Sequence, residues 1–318
     1  MGTSFWESPF VLDPRPAAVE RHGDVDLHVP TGDGPHPAVV IVHGVPGPPE
    51  APDARDWPLY RGYGALLAER GVLAAIPRLT VTSPDDLYAV AARVAAAAEL
   101  LRADPRVDAE RLGLWFFSGA GLLLGDWLRD PPRWLRGIAA TYPLLAPLPG
   151  WPPVDARFRP IEALDPPVGT GDAAATPAHP GDATTPGGAD SAGTALDGSG
   201  VGGTNSHGSD SSGAGIDGSD SGGSDSSGAD SGGSGLGAAR TDEAVRPTLV
   251  LTRAGRERPE VAPTIEAFTA VARRRGIPLH VVDVPNGQHG FDALDHTEES
   301  RAAVRTARDA LLNLLTAP

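Results

Sequence analysis

Short apolar runs, separated for the most part by segments of helix length, constrain this chain more than any other feature. Pro37–Val42 (PAVVIV), Val72–Ile76, Leu112–Phe117 and Pro247–Thr252 are each close to unbroken in apolar residues, and Gly137–Tyr142 and Pro278–Val284 read as further strands. Strands that read this way are covered on both faces, as in a parallel sheet flanked by helices. Leu59–Arg70 reads as a helix with Leu66 and Leu67 inward, ended by Gly71. Ser83-Pro84-Asp85-Asp86 is a helix start, with a serine cap, proline in the first turn and acids beside it. Leu87, Val90, Ala91, Val94, Ala98 and Leu101 then recur at helical spacing until Asp104-Pro105. Pro263–Arg275 and residues 295–316 are further helices, and Val25–Val29 alternates as an early, half-exposed strand. The alternation predicts an α/β architecture: a mostly parallel central sheet with helices on both faces.

One stretch breaks the pattern. From about Gly169 to Ala239 the chain is Gly, Ser, Asp, Ala and Thr, with no arginine and no aromatic residue. Nine aspartates lie in it, more than half of the net charge of −15. Such a composition offers too little apolar surface to offset the entropy of ordering. GSDSSGA occurs at Gly208–Ala214 and again at Gly223–Ala229, but the period of a calcium-binding β-roll is not kept. The expectation is one domain, 1–168 with 240–318, interrupted by a disordered Gly/Ser/Asp-rich loop at 169–239.

Composition excludes several chemistries. There is no cysteine, hence no thiolate nucleophile or thiolate-bound metal, and all 26 basic residues are arginines, hence no Schiff-base or P-loop lysine. The acidic balance argues against a nucleic-acid partner. The first residues, MGTSFWESPF, lack a basic n-region, and no apolar run is long enough to span a membrane, so a cytoplasmic protein without membrane association is expected. No His/Asp/Glu cluster has metal spacing and no glycine-rich loop suits a dinucleotide, so no cofactor is expected. Oligomeric state is left open.

The stretch Arg111–Leu124 (RLGLWFFSGAGLLL) sets Ser118 between a buried strand and a buried helix, with small residues behind it. This has the form of a nucleophile elbow, whose turn lifts the hydroxyl off the sheet while the helix N-terminus aims N–H groups at a developing oxyanion. The usual G-x-S-x-G reads here Phe116-Phe117-Ser118-Gly119-Ala120, with a large residue where a small one is common. The plainer alternative is a serine capping a helix. Beyond the elbow, Glu257 and His289 follow two later strands, giving the order Ser, acid, His. Serine needs a base in hydrogen-bond reach, which His289 supplies; Glu257 would hold the imidazole tautomer, and the N–H groups of Val45 and Gly119 would form the oxyanion hole. Glu260 and Asp283 remain alternatives for the acid. His43 reads as structural, and Arg78 as a surface arginine that could instead meet an anion.

His43-Gly44 after an early strand, Phe117-Ser118-Gly119-Ala120-Gly121 at the elbow and His289-Gly290-Phe291 near the end together resemble an α/β-hydrolase, within it the dienelactone hydrolase-like group. The acid of that group commonly lies in a G-x-D motif, which Gly255-Arg256-Glu257 matches with glutamate. The group's namesake uses a cysteine, absent here, so its substrate is not carried over. The resemblance implies a serine hydrolase for a small ester, lactone or thioester. The alternatives are a non-catalytic protein of the same fold that binds a ligand or partner, and a chain whose acidic tract is the functional part, as a spacer or interaction segment.

Overall fold

The computed structural model describes residues 4–47, 50–165 and 247–317, all within one compact unit. The sequence-predicted tract at 169–239 lies outside the described residues, so its expected disorder and the domain boundaries drawn around it stand as proposals. Eight strands form one sheet: β1 (Ala18–His22), β2 (Val25–Val29), β3 (His36–Val42), β4 (Leu73–Pro77), β5 (Val107–Phe117), β6 (Leu135–Thr141), β7 (Thr248–Arg256) and β8 (Leu279–Gln288). Their order is β1-β2-β4-β3-β5-β6-β7-β8. The β1–β2 and β2–β4 pairs are antiparallel and all others parallel. Residues 142–247 lie between β6 and β7, yet these strands pair directly from Gly137↔Thr248 to Thr141↔Thr252.

Helices α1 (Pro58–Ala68), α2 (Leu87–Ala103), α3 (Leu124–Arg129), α4 (Pro160–Leu164), α5 (Ala262–Arg274), α6 (Phe291–Leu294) and α7 (Glu298–Thr316) complete the fold. Side chains alternate across the sheet, so each central strand feeds two cores. On β5, Leu112, Leu114 and Phe116 meet the layer of α2 and α5, while Trp115 and Phe117 meet that of α1 and α7. Leu112 and Leu114–Phe117 are all fully buried, and truncating one of the aromatics to alanine would cost about 3–5 kcal/mol. None of the helices among the described residues is long and apolar enough to cross a membrane.

Several expectations are corrected. The edge strand β1 was not legible, because Ala18–His22 is largely exposed and carries no apolar pattern. The strand Val25–Val29 is not half-exposed: Asp26 is buried against Arg55 (3.1 Å) and Arg21 (2.7 Å), and the His28 ring is buried against Gly64. The last strand does not end at Val284 but continues to Gln288, so 285–288 is strand and not loop. The segment after Ser118 opens as a 3₁₀ turn, Ser118–Leu123, and only then becomes the six-residue α3. A long helix dipole at Ser118 is therefore not available.

Candidate active site

The buried run of β5 delivers Ser118 at the carboxyl end of the sheet. Its φ is 51°, a left-handed conformation that costs a non-glycine residue of order 1–3 kcal/mol and persists only when surroundings enforce it. The enforcement is visible. Ala120, Leu122 and Leu123 are buried directly behind the turn, and the Ser118 carbonyl accepts from Leu144 N (2.8 Å). Close approach decides the neighbouring small residues. A Cβ on Gly119 would stand 1.8 Å from the Val45 carbonyl oxygen, and one on Gly121 would stand 2.5 Å from that of Leu144. Phe116 lies within the α2/α5 core, in the same cluster as Ala120, Leu122 and Leu123.

His289 sits between the end of β8 and Gly290, whose φ of 79° turns the chain into α6. Asp295 clamps the strand end by accepting from Gln288 N (2.8 Å) and Nε2 (2.7 Å). Glu257 follows β7 at once. Gly255 permits the close passage of β7 and β8 here, since a Cβ would fall 2.2 Å from the Pro285 carbonyl oxygen.

The side chains meet in a line. Ser118 Oγ lies 2.8 Å from His289 Nε2, and His289 Nδ1 lies 2.8 and 2.9 Å from the Glu257 carboxylate oxygens. Since a carboxylate only accepts, Nδ1 carries the proton and Nε2 is free to accept from the serine hydroxyl. The Glu257 side chain is only 1 % exposed, which removes the reading of a solvated surface pair. The serine cap reading also fails, because Ser118 Oγ faces His289 and the turn has no side-chain cap. Asp283 is instead paired with Arg253 (2.6 Å) and half-exposed, and Glu260 is exposed. The structure brings Val45 and Gly119 into backbone contact beside the serine. His43 is buried, accepts from Leu79 N (3.1 Å) through Nε2 and faces its neighbour's carbonyl, that of Gly44, with Nδ1 (3.1 Å). Burial lowers its pKa to about 4, so it ties the ends of β3 and β4 as a neutral ring. Arg78 lies 3.4 Å from Asp53, and its side chain is half-exposed.

Five residues near the site were not singled out from sequence. Tyr60 accepts from Gly44 N (2.8 Å). The Tyr142 ring packs on His289, and its hydroxyl donates to Asp292 (2.7 Å), as does that of Tyr63 (2.8 Å). Asp292 is fully buried, and burial pushes its carboxyl up to about 6, the two phenols opposing the shift. Arg258 Nη2 lies 3.1 Å from His289 Nε2. Asp292, three residues after His289, and Arg258, next to Glu257, are close in sequence to predicted site residues; Tyr60, Tyr63 and Tyr142 arrive from distant elements.

The antiparallel pairing of β2 with β1 and β4, the crossover that sets β4 outside β3, and a serine turn after β5 define the α/β-hydrolase fold. The chain is similar to esterase 2 of Thermogutta terrifontis phosphoramylated by tabun, at 13 % identity and a TM-score of 0.55, over 96 % of this chain and 98 % of that one. It is similar to DphMB1 at 14 % identity and a TM-score of 0.52, over 95 % and 88 %. A Klebsiella pneumoniae protein provisionally assigned as a dienelactone hydrolase matches at 14 % identity and a TM-score of 0.50, over 91 % and 92 %. No family model matches the chain, and no curated protein sequence does.

Proposed function

We propose that this protein is a serine hydrolase that cleaves a small ester, lactone or thioester through an acyl-enzyme. The observation that carries this reading is the continuous hydrogen-bond line from Ser118 Oγ through both nitrogens of His289 to the buried Glu257. Ser118 Oγ attacks the acyl carbon as its proton passes to His289 Nε2, and Glu257 stabilises the imidazolium across Nδ1. The N–H groups of Val45 and Gly119 meet the oxyanion, where one lost donor typically costs about 10²–10³ in rate. Collapse expels the alcohol or thiol, which takes its proton from His289. Water, activated by the same imidazole, then attacks the acyl-enzyme, releasing the acid and restoring Ser118. The esterase among the structures of similar fold agrees with this reading.

A second reading, a non-catalytic ligand- or partner-binding protein of this fold, draws on Arg258, whose guanidinium competes with Ser118 for the one lone pair on Nε2. One experiment separates them. A fluorophosphonate probe followed by mass mapping should modify Ser118 in the parent and nothing in Ser118→Ala. An unlabelled parent, inert towards a broad ester panel, leaves the binding reading in place.

A further inference from the structure

Two cavities of unlike chemistry border the Ser118-Gly119 turn, one lined by each residue. One, of about 220 Å³, contains Ser118 and His289 themselves, with Tyr60, Tyr142 and Arg258. The other, of about 260 Å³, is lined by Val45 and Gly119 and walled by Leu87, Leu122, Val81 and Trp151. We propose that this second cavity is the acyl site and that it takes the unbranched aliphatic chain of a short- to medium-length carboxylic ester. This deepens the hydrolase reading and rests on it.

The direction of proton transfer decides which half of a substrate goes where. The leaving oxygen must receive a proton from His289 Nε2, so the alcohol half occupies the cavity that holds His289. The carbonyl oxygen points at the Val45 and Gly119 N–H groups. The remaining substituent of the acyl carbon is then directed past these residues, into the cavity that they share.

The lining fits a hydrocarbon. Leu87 and Leu122 are almost fully buried and bound the cavity from within, while Val81 and Trp151 are partly exposed. Of the donors on its polar residues, Thr82 N and Oγ1 (both 2.7 Å) and Ser83 N (2.9 Å) all donate to Asp86, and the Ser83 hydroxyl oxygen accepts from the Asp86 backbone. No charged side chain lines it. A charged or strongly polar acyl group would lose its water without a partner in return. An apolar cavity of about 150 Å³ accommodates benzene, so this one holds a chain of up to about eight carbons.

The test is the chain-length profile of 4-nitrophenyl esters from acetate to laurate, alongside acetates of different alcohols. In the parent, kcat/KM should rise about fourfold per methylene and fall beyond about eight carbons. Leu122→Phe, which fills the cavity, should lower the octanoate-to-acetate ratio by about 10²-fold without changing the ranking of alcohols. Val81→Trp, at a partly exposed position, should do the same and decides the matter if the first variant does not fold. Unmoved ratios in the folded variants, or an altered alcohol ranking instead, would overturn the proposal. A flat parent profile with Ser118-dependent turnover would overturn it while leaving the hydrolase reading intact. Absence of both turnover and Ser118 labelling would remove both.

Discussion

The Tyr142 ring lies against the His289 imidazole with centroids 4.6 Å apart, held there by a hydroxyl that donates to the buried Asp292. A group outside the hydrogen-bond line thus sets the plane in which His289 can turn. The backbone of Tyr142 is fixed too: its φ is 38° and its N–H donates 2.8 Å to the Thr252 carbonyl on β7.

Asp292 should make the pH dependence of stability shallower than the buried histidines alone would. Its folded pKa, raised to about 6 from 3.8, means that the native state takes up its proton first as pH falls, which stabilises the fold between about 6 and 4. His28 and His43, lowered to about 4 by burial, act oppositely: the stability they contribute is full above 6.5 and is lost as pH falls towards 4. Asp292→Asn keeps a partner for each phenol and removes the buried charge. It should raise stability at pH 7 by ~2 kcal/mol and steepen the acid loss, measured by urea midpoints from pH 7 to 4.

Glu257→Gln should lower kcat by about 10⁴-fold, the loss seen when a triad carboxylate becomes an amide. Asp283→Asn and Glu260→Gln should stay near the parent, since neither side chain bonds to His289 and Asp283 is engaged with Arg253. Steady-state kinetics on one ester series compares all three.

Ser118→Gly should separate stability from activity. Glycine adopts the φ of 51° without strain, so the variant should lose turnover and labelling while gaining about 1 kcal/mol of unfolding free energy, net of the extra freedom of its unfolded chain. Denaturant unfolding of the two proteins side by side measures the gain.

Arg258→Ala should free the His289 lone pair for Ser118 alone. Labelling by a small neutral fluorophosphonate should speed up about fivefold, the worth of one modest hydrogen bond. The rate constant of labelling at fixed pH is the readout.

Replacing residues 169–239 with a short Gly/Ser linker should leave activity near the parent's, because β6 and β7 on either side pair with one another directly. Each halving of a connection's length changes closure entropy by only about 0.6 kcal/mol. Turnover and melting temperature of the shortened chain check this.

The sequence by itself determined the class of fold. Unbroken runs such as PAVVIV and LGLWFF can only be strands covered on both sides, and amphipathic segments such as Leu87–Leu101 supply the cover. This information is local, because burial and period are written in neighbouring residues. It also marked Ser118 and His289 as candidates, since each stands at a strand end beside glycine. Choosing among Glu257, Glu260 and Asp283 was beyond it. Each is an acid near the end of β7 or β8, and only the β7–β8 approach at Gly255 turns Glu257 inward. Tyr60, Tyr142 and Arg258 escaped for the same reason: an aromatic on a helix or an arginine beside an acid reads as ordinary core or surface until distant elements meet. The two cavities flanking Ser118 exist in no stretch of sequence. One is a gap between the segment after β3, the loop before α2 and the segment after β6, the other a gap between the segment after β3, α1 and the ends of β6, β7 and β8, and a gap is a property of packing alone.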